Sequence, residues 1–494
     1  MPYPETIKLR EADNVLVLPR GGTRGDAVGD FKLLDDVPPG HKTACALIRE
    51  KEPVVKYGHV IGVAKRDIPV GEWVHEHNVS TRLGGDMDVF PAWTPKTLNC
   101  LPPKTPGEEK YFYGYPRANG RPGVRNDIWV IPAVGCINGE LRSIVAGYGK
   151  PLWIDSVKIL EHPYGCSQLG GDLEMTRRIL AGLANNPNAA GVLLVGLGCE
   201  NLRVEDLLES VLKTRDASLV RCLALQDSSE GNVKEYLSEL AEAAPKERKK
   251  CGVRELCVGV KCGGSDGCSG LSANPLTGRF SDWLTSRGGT ILATEIPEMF
   301  GAEDVIAGRV LQAPVYDEFK ALDKWFREYF VRYGQPIYEN PSPGNREGGI
   351  TTLEEKSLGA VEKMGSSPVT AVLGYGEAVS AAGGVQITFA PGNDLVSCTS
   401  LAGSGAQMML FTTGRGTPFG TVVPTIKIST NTALARRHPD WIDFNAGILL
   451  EGASWETASK KLIDCVLSVA SGQLTAHEKK NIGEIAIFKD GATL

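Results

Sequence analysis

The sequence predicts a multidomain protein: a small β-rich N-terminal domain, then an α/β region built on a mostly parallel sheet. Three observations predict it. The chain has 494 residues, too many for one ordinary core. Residues 1–92 carry only short β-type runs cut by Gly and Pro turns. From Tyr111 onward, apolar strand-like runs alternate with helix-period segments, the pattern of parallel strands with both sheet faces covered.

In the first region the strand candidates are residues 14–18, 54–55, 59–63 and 73–74, divided by turns such as Pro38-Pro39-Gly40 and Pro69-Val70-Gly71. A short helix-period stretch lies at 44–49. Residues 93–110 are rich in Pro and charge and show no period, so they read as a fairly stiff linker. A middle α/β domain is expected over 111–248. Its strand 127–134 ends in Gly135-Cys136, its helix covers 173–183, and its strand 191–195 runs into the loop Gly196-Leu197-Gly198-Cys199. A helix at 233–244 follows, and the charged stretch 245–250 marks the next boundary. The last domain, 249–494, opens with strand 256–260, a Gly-rich loop, helix 280–287 and strand 290–296. Later strands are expected at 369–373, 385–389 and 408–411. No internal repeat is present.

The composition is 42% hydrophobic and 23% charged, with a net charge of -6 and no basic block. That balance excludes a general attraction to nucleic acid or to an anionic membrane, so an anionic substrate needs local donors. Residues 1–15 show no apolar run after a basic start, and no stretch approaches the ~20 apolar residues of a membrane span. The expected location is the cytoplasm, where the twelve cysteines stay reduced.

In open α/β sheets, ligands bind beyond the carboxyl ends of the strands. Five predicted strand ends deliver polar groups and glycines, which points to a shared crevice. The richest is the loop from Lys261 to Gly270. Its glycines let backbone N–H groups turn inward as an anion nest, and Lys261, Ser265 and Ser269 add donors. Gly263, Gly264, Ser265, Asp266 and Ser269 are therefore candidate substrate contacts, joined by Thr413 and Arg415 after a later strand. No Gly-Lys-Ser/Thr closes the loop and no GxGxxG is present, so no nucleotide cofactor is expected.

Cys166 and Cys199 each stand in a glycine turn. They read either as structural thiols or as ligands of a divalent metal, helped by His162 and Glu200. Thiolate with imidazole or carboxylate suits iron(II), zinc or cobalt. No CxxC occurs, so a ferredoxin-type loop is unsupported, although a cluster on dispersed cysteines stays open. In the first domain, His75-Glu76-His77-Asn78 follows a strand. Two imidazoles two residues apart face one way on a strand, as ligands or as acid and base, or they form a solvated strand end. Asn78 beside them is a candidate substrate contact.

These segments resemble the altronate/galactarate dehydratase family over essentially the whole chain. The resemblance is carried by GHKTACALI from Gly40, KYGHVIGVAKRDIPVGEWVHEHNV from Lys56, GYPRANGRPGVRN from Gly114 and HPYGCSQLGGD from His162. VGLGCEN from Val195, KCGGSDGCSGLSANP from Lys261, LFTTGRGTPFG from Leu410 and DFNAGILLEG from Asp443 extend it. HEHN, PGNDLVS, WIDFNAG and EIAIFKDGATL look like the altronate branch. The resemblance implies a β-clip first domain, a linker, a middle domain used in homodimer contacts and a Rossmann-like C-terminal domain. It also implies iron(II), or manganese(II), and the conversion of D-altronate to 2-dehydro-3-deoxy-D-gluconate and water. Galactarate dehydration, sulfolactate desulfonation and non-catalytic sugar-acid sensing are the rival readings.

Dehydration beside a carboxylate needs removal of a weakly acidic α proton and departure of the β hydroxyl. A metal on carboxylate and hydroxyl aids both, and a suitably tuned base takes the proton. His75 or His77 is expected as acid or base, with Lys261 as the alternative base.

Overall fold

The computed structural model describes residues 6–84, 90–94, 109–118 and 120–494. Most of the expected linker lies outside them.

The first domain is built from two three-stranded antiparallel sheets and a hairpin. One sheet places Lys42–Ala44 between Val15–Val17 and Trp73–Val74. The other orders Pro53–Lys56, His59–Ala64 and Val79–Ser80. Tyr57 and Gly58, at φ 64° and 77°, close the first hairpin of that sheet, with the positive φ at both central residues that matches strand twist. The helix expected at 44–49 does not form. Ala44 donates to Glu72 O and Ile48 exchanges backbone hydrogen bonds with Ile68, so cross-chain pairing overrides the local period.

The middle region holds a four-stranded parallel sheet, ordered Val157–Ile159, Asp127–Pro132, Ala189–Gly196 and Val220–Ala224. Ala189–Gly196 is buried at every position, as a central strand with both faces covered must be. The chain enters and leaves this region side by side, because Tyr111–Gly114 pairs antiparallel with Lys249–Gly252.

The C-terminal region is a seven-stranded parallel sheet with helices. Its order is Val369–Leu373, Gly384–Thr388, Thr290–Ala293, Cys257–Cys262, Met408–Thr413, Thr425–Ser429 and Phe444–Asn445. From Cys257–Cys262 the chain builds to one side, then crosses to Met408–Thr413 on the other. That reversal leaves a crevice at the carboxyl ends of the central strands. Two long helices, Ala313–Arg332 and Trp455–Ala470, were absent from the sequence reading.

The first domain docks directly on this region. Helix Leu353–Val361 is buried at all nine positions. Thr352 Oγ1 donates to Ile61 O, and Thr81 Oγ1 donates to the Glu354 carboxylate at 2.8 Å. The Glu355 carboxylate lies between two buried ammoniums of the first domain, Lys42 at 2.8 Å and Lys56 at 2.7 Å. Among the described residues no helix is long and apolar enough to cross a membrane.

Candidate active site

Strand Cys257–Cys262 is buried throughout and delivers Lys261 and Cys262 to its carboxyl end. The neighbouring strand Thr290–Ala293 delivers Glu295, whose backbone is left-handed at φ 71°. A non-glycine residue held there stores about 1–3 kcal/mol of strain, and such positions cluster at functional sites. The short turn Ile296–Glu298 then presents Glu298. Lys356 and Lys363 arrive from helix Leu353–Val361 and the turn that ends it.

These groups form one buried cluster. Lys261 Nζ donates to Glu295 Oε1, to Cys262 O at 2.8 Å and to Gly392 O at 3.1 Å, and lies 3.0 Å from Asp394 Oδ1. Lys363 Nζ is 2.7 Å from Cys262 Sγ and 2.8 Å from Glu295 Oε2. Lys356 Nζ is 3.0 Å from Glu298 Oε1. Three ammoniums thus face three carboxylates, which is the pairing that buried charges require.

Burial opposes the Lys261 charge, but Glu295, Asp394 and Glu298 outweigh it and raise its pKa well above the ordinary value. A lysine held that way does not serve as a desolvated base; it orients Glu295. Burial and then Glu295 push the Cys262 thiol up to about 12. Burial would raise Glu298, yet Lys356, Lys261 and Lys363 bring it down to about 2. Cys262, Glu295 and Glu298 offer a sulfur and two carboxylate oxygens within 4.8 Å of one another. That donor set is compatible with a divalent metal of borderline softness.

Beside the cluster, a cavity of about 920 Å³ opens where the first domain meets the C-terminal region. His41, Trp73 and His75 line it from one side, and Pro297, Asn340, Arg346 and Glu347 from the other. Pro297 immediately precedes Glu298, and Lys356 donates to Asn340 Oδ1 at 2.9 Å, so cavity and cluster share a wall. A larger hollow of about 1080 Å³ lies elsewhere, lined by Arg117, Arg121, Arg215, Arg254 and Arg287 among others. It carries no imidazole or thiol, so it offers no acid–base group of those kinds.

The two expected histidines are treated differently by the fold. The strand ends at Val74, and residues 75–78 form a turn closed by Asn78 N to His75 O at 3.0 Å. The same-face argument therefore fails, because strand alternation stops before His75. His75 is buried, stacked on Trp73 with ring centres 5.4 Å apart, and its Nδ1 is 3.0 Å from Thr351 Oγ1. His77 is exposed on the same indole, 3.9 Å from Glu72 Oε1. Asn78 spends its side chain on the turn, donating to Glu72 Oε1 and Trp73 O and accepting from His75 N. His41, not singled out from sequence, has both nitrogens engaged, with Nε2 at 3.0 Å from Glu347 O and Nδ1 accepting from Trp73 Nε1. Burial first, then Lys42 and His41, lower the His75 pKa to about 3.

The chain matches three family models in sequence order. They are an altronate/galactarate dehydratase SAF domain over residues 4–82, a second domain of D-galactarate dehydratase/altronate hydrolase over 114–247, and a D-galactarate/altronate dehydratase C-terminal domain over 253–493. It is 45% identical to an altronate dehydratase of Bacillus subtilis, and 42% identical to one of Escherichia coli, each across 99% of both chains. The chain belongs to the altronate/galactarate dehydratase family. A more distant member, the L-threo-forming galactarate dehydratase of Escherichia coli, is 33% identical over 94% of this chain and 93% of its own length.

Within this family member, the other expected site residues divide into two places. The loop Lys261–Gly270 is at the crevice but knitted shut. Gly263 N donates to Thr412 O, Gly267 N to Gly348 O, and Cys268 N to Asp266 Oδ1, so most of the expected anion nest is used internally. Asp266 is also held by Ser269, Thr430 and Asn431. Gly264 O and Ser265 O accept from Gly414 N and Asn345 Nδ2 respectively, and Thr413 Oγ1 accepts from Gly416 N. Arg415 is exposed, 3.2 Å from Glu347.

Cys166, Cys199, Glu200 and His162 lie together in the middle region, not at this crevice. His162 has both ring nitrogens on backbone, Nε2 at 2.8 Å from Pro132 O and Nδ1 accepting from Tyr164 N. The Glu200 carboxylate accepts from the N–H groups of Leu197, Gly198 and Cys199. Sequence reasoning missed Cys262, Glu298, Lys356 and Lys363 as a group. The only signal for Glu295 was a polar residue just after a strand.

Proposed function

We propose that this chain is a hydro-lyase that removes water from a sugar acid, converting D-altronate to 2-dehydro-3-deoxy-D-gluconate. The observation that carries the reading is the end-to-end likeness to altronate dehydratases, 45% and 42% against 33% for the galactarate enzyme. The geometry supports it with a cavity of fitting size that holds an acid–base imidazole and an arginine.

The substrate carboxylate pairs with Arg346, whose present partner Glu76 is an exposed ion pair at 3.0 Å and easily exchanged. Asn340 and Ser342 face the hydroxyls. Lys42 donates to Thr351 Oγ1 at 2.6 Å, so the Thr351 hydroxyl hydrogen is left for His75 Nδ1. The proton of neutral His75 then sits on Nε2. As it passes to the departing C3 hydroxyl, Nδ1 takes the Thr351 hydroxyl proton and the Lys42 ammonium, its pKa lowered by burial to about 8, replaces that one, so the ring stays neutral. Glu76, Glu339 and Glu347, which also line the cavity, are the carboxylates available to take the proton from C2. The resulting enol becomes the 2-keto acid.

Cys262, Glu295 and Glu298 would hold iron(II) or manganese(II), which supplies Lewis-acid stabilisation of the enediolate and the leaving hydroxyl. A cation there requires the Lys363 ammonium to leave Cys262 and Glu295. We also read the first domain as a β-clip, the last as Rossmann-like, and the protein as a cytoplasmic homodimer, in line with the family.

The test is an anaerobic assay with Fe(II) or Mn(II) and a reductant, offering D-altronate, galactarate and sulfolactate. The expected result is fastest 2-keto acid formation from D-altronate and its loss after exhaustive chelation. Faster turnover of galactarate or sulfolactate overturns the substrate. Turnover of none points to a sensor, and full activity after chelation removes the metal.

A further inference from the structure

Three glycine–cysteine turns meet at one end of the middle sheet. Cys136 follows strand Asp127–Pro132, Cys166 follows Val157–Ile159, and Cys199 follows Ala189–Gly196. These strands are adjacent and parallel, so all three turns emerge at the same carboxyl edge, where α/β sheets bind their ligands.

The turns are fastened to one another. Gly135 N donates to Tyr164 O at 2.8 Å, and Asn138 Nδ2 to His162 O at 3.0 Å. Leu202 N donates to Gly165 O at 2.9 Å, and Ser167 N to Asn201 Oδ1 at 2.7 Å. The glycines before the cysteines are needed for this closeness. A Cβ on Gly165 would fall on Ala133 O, and one on Gly135 would come within 2.7 Å of His162 O. Ser167, next to Cys166, is held left-handed at φ 57°, a strained state for a residue with a side chain.

Free cysteine is among the most buried residue types. Among the described cysteines, Cys136, Cys166 and Cys199 are the three that are exposed. That all three exposed thiols fall on mutually bonded turns is not what packing alone produces. His162 and Glu200 are bound to backbone and shape the turns, which leaves the sulfurs as the free donors.

The spacing argues against a single ion. A single tetrahedral ion with ~2.3 Å metal–sulfur bonds holds its sulfurs about 3.8 Å apart. Among the described residues, only Cys262, Glu295 and Glu298 form a group of three such donors all within 4.8 Å. At least one pair of the three middle-domain sulfurs therefore stands more than 4.8 Å apart, wider than one ion allows. Thiolates on separate irons of a cubane stand wider apart. We propose that Cys136, Cys166 and Cys199 bind three irons of a 4Fe–4S cluster, leaving the fourth iron without a cysteine.

The experiment is anaerobic reconstitution of the full chain with ferrous iron and sulfide, read by visible absorption, EPR after reduction, and iron and sulfide analysis. About four irons and four sulfides per chain are expected. Cys136→Ser, Cys166→Ser and Cys199→Ser should each lose most of the signal, while Cys222→Ser in the same region keeps it. Matching melting curves show that the variants fold. No sulfide uptake, one metal ion per chain without sulfide, or retention of the cluster by the triple serine variant overturns the proposal. None of these readouts involves turnover, so they stand apart from the reading of the sugar-acid site.

Discussion

A His75→Ala chain folds, binds sugar acid, and turns it over about 10²–10⁴-fold more slowly, the usual contribution of a positioned acid or base. His75 is the cavity histidine with a nitrogen left for substrate. His41 has both of its nitrogens committed to Glu347 O and Trp73. Burial keeps His75 neutral, with a pKa near 3, so it works as an imidazole. The fall should appear in kcat with KM little changed, since the interaction matters in the transition state. His77→Ala, exposed and outside the cavity wall, should run close to the parent rate. Equal losses in both variants, or a loss confined to KM, would assign His75 to packing.

Glu355→Ala should undock the first domain and abolish activity with it. The one carboxylate pairs with both Lys42 and Lys56, all three being buried. Removing one partner of such a group costs about 3–5 kcal/mol, because unpaired charge is left behind. Burial would raise the Glu355 pKa, but Lys42 and Lys56 hold it far below the usual 4.5. Its contribution is therefore present above about pH 4.5 and lost as pH falls below it. His75, lowered from 6.5 to about 3, adds stability above pH 6.5 that declines between those values. Both signs agree: acidification weakens the interface. Urea melts of the parent should show stability falling from pH 6.5 downward, with the pH 4.5-and-below part missing in Glu355→Ala. An unchanged melt in that variant would mean the ion triad is not what holds the domains.

Much of the fold was legible because strands with both faces covered read as continuous apolar runs. Val369–Leu373 has the predicted bounds, and Met408–Thr413 and Ala189–Gly196 extend theirs by one or two residues at an end. Helix Ala313–Arg332 was missed although Val315, Tyr316, Phe319 and Phe326 recur on its buried face. Charged residues between them masked the period.

The site was harder to read. Lys261 and Cys262 stand at a strand end, where the location rule finds them. Glu298, Lys356 and Lys363 come from turns and a helix up to about a hundred residues away, and only the crossover brings them together. The left-handed backbone at Glu295 has no sequence sign, since glycine is the residue expected there. Cys136 did carry a signal, the same Gly-Cys pair as at 166 and 199.

The most direct test of the sugar-acid site is a crystal structure of the His75→Ala chain grown anaerobically with Mn(II) and D-altronate. The slow variant keeps the substrate intact, and manganese scatters anomalously. The expected map has one anomalous peak among Cys262, Glu295 and Glu298, with Lys363 moved off the sulfur. Sugar-acid density should lie in the adjoining cavity with its carboxylate on Arg346. Density for the acid in the arginine-lined hollow around Arg117, Arg121 and Arg215, with no manganese at the triad, would contradict the account.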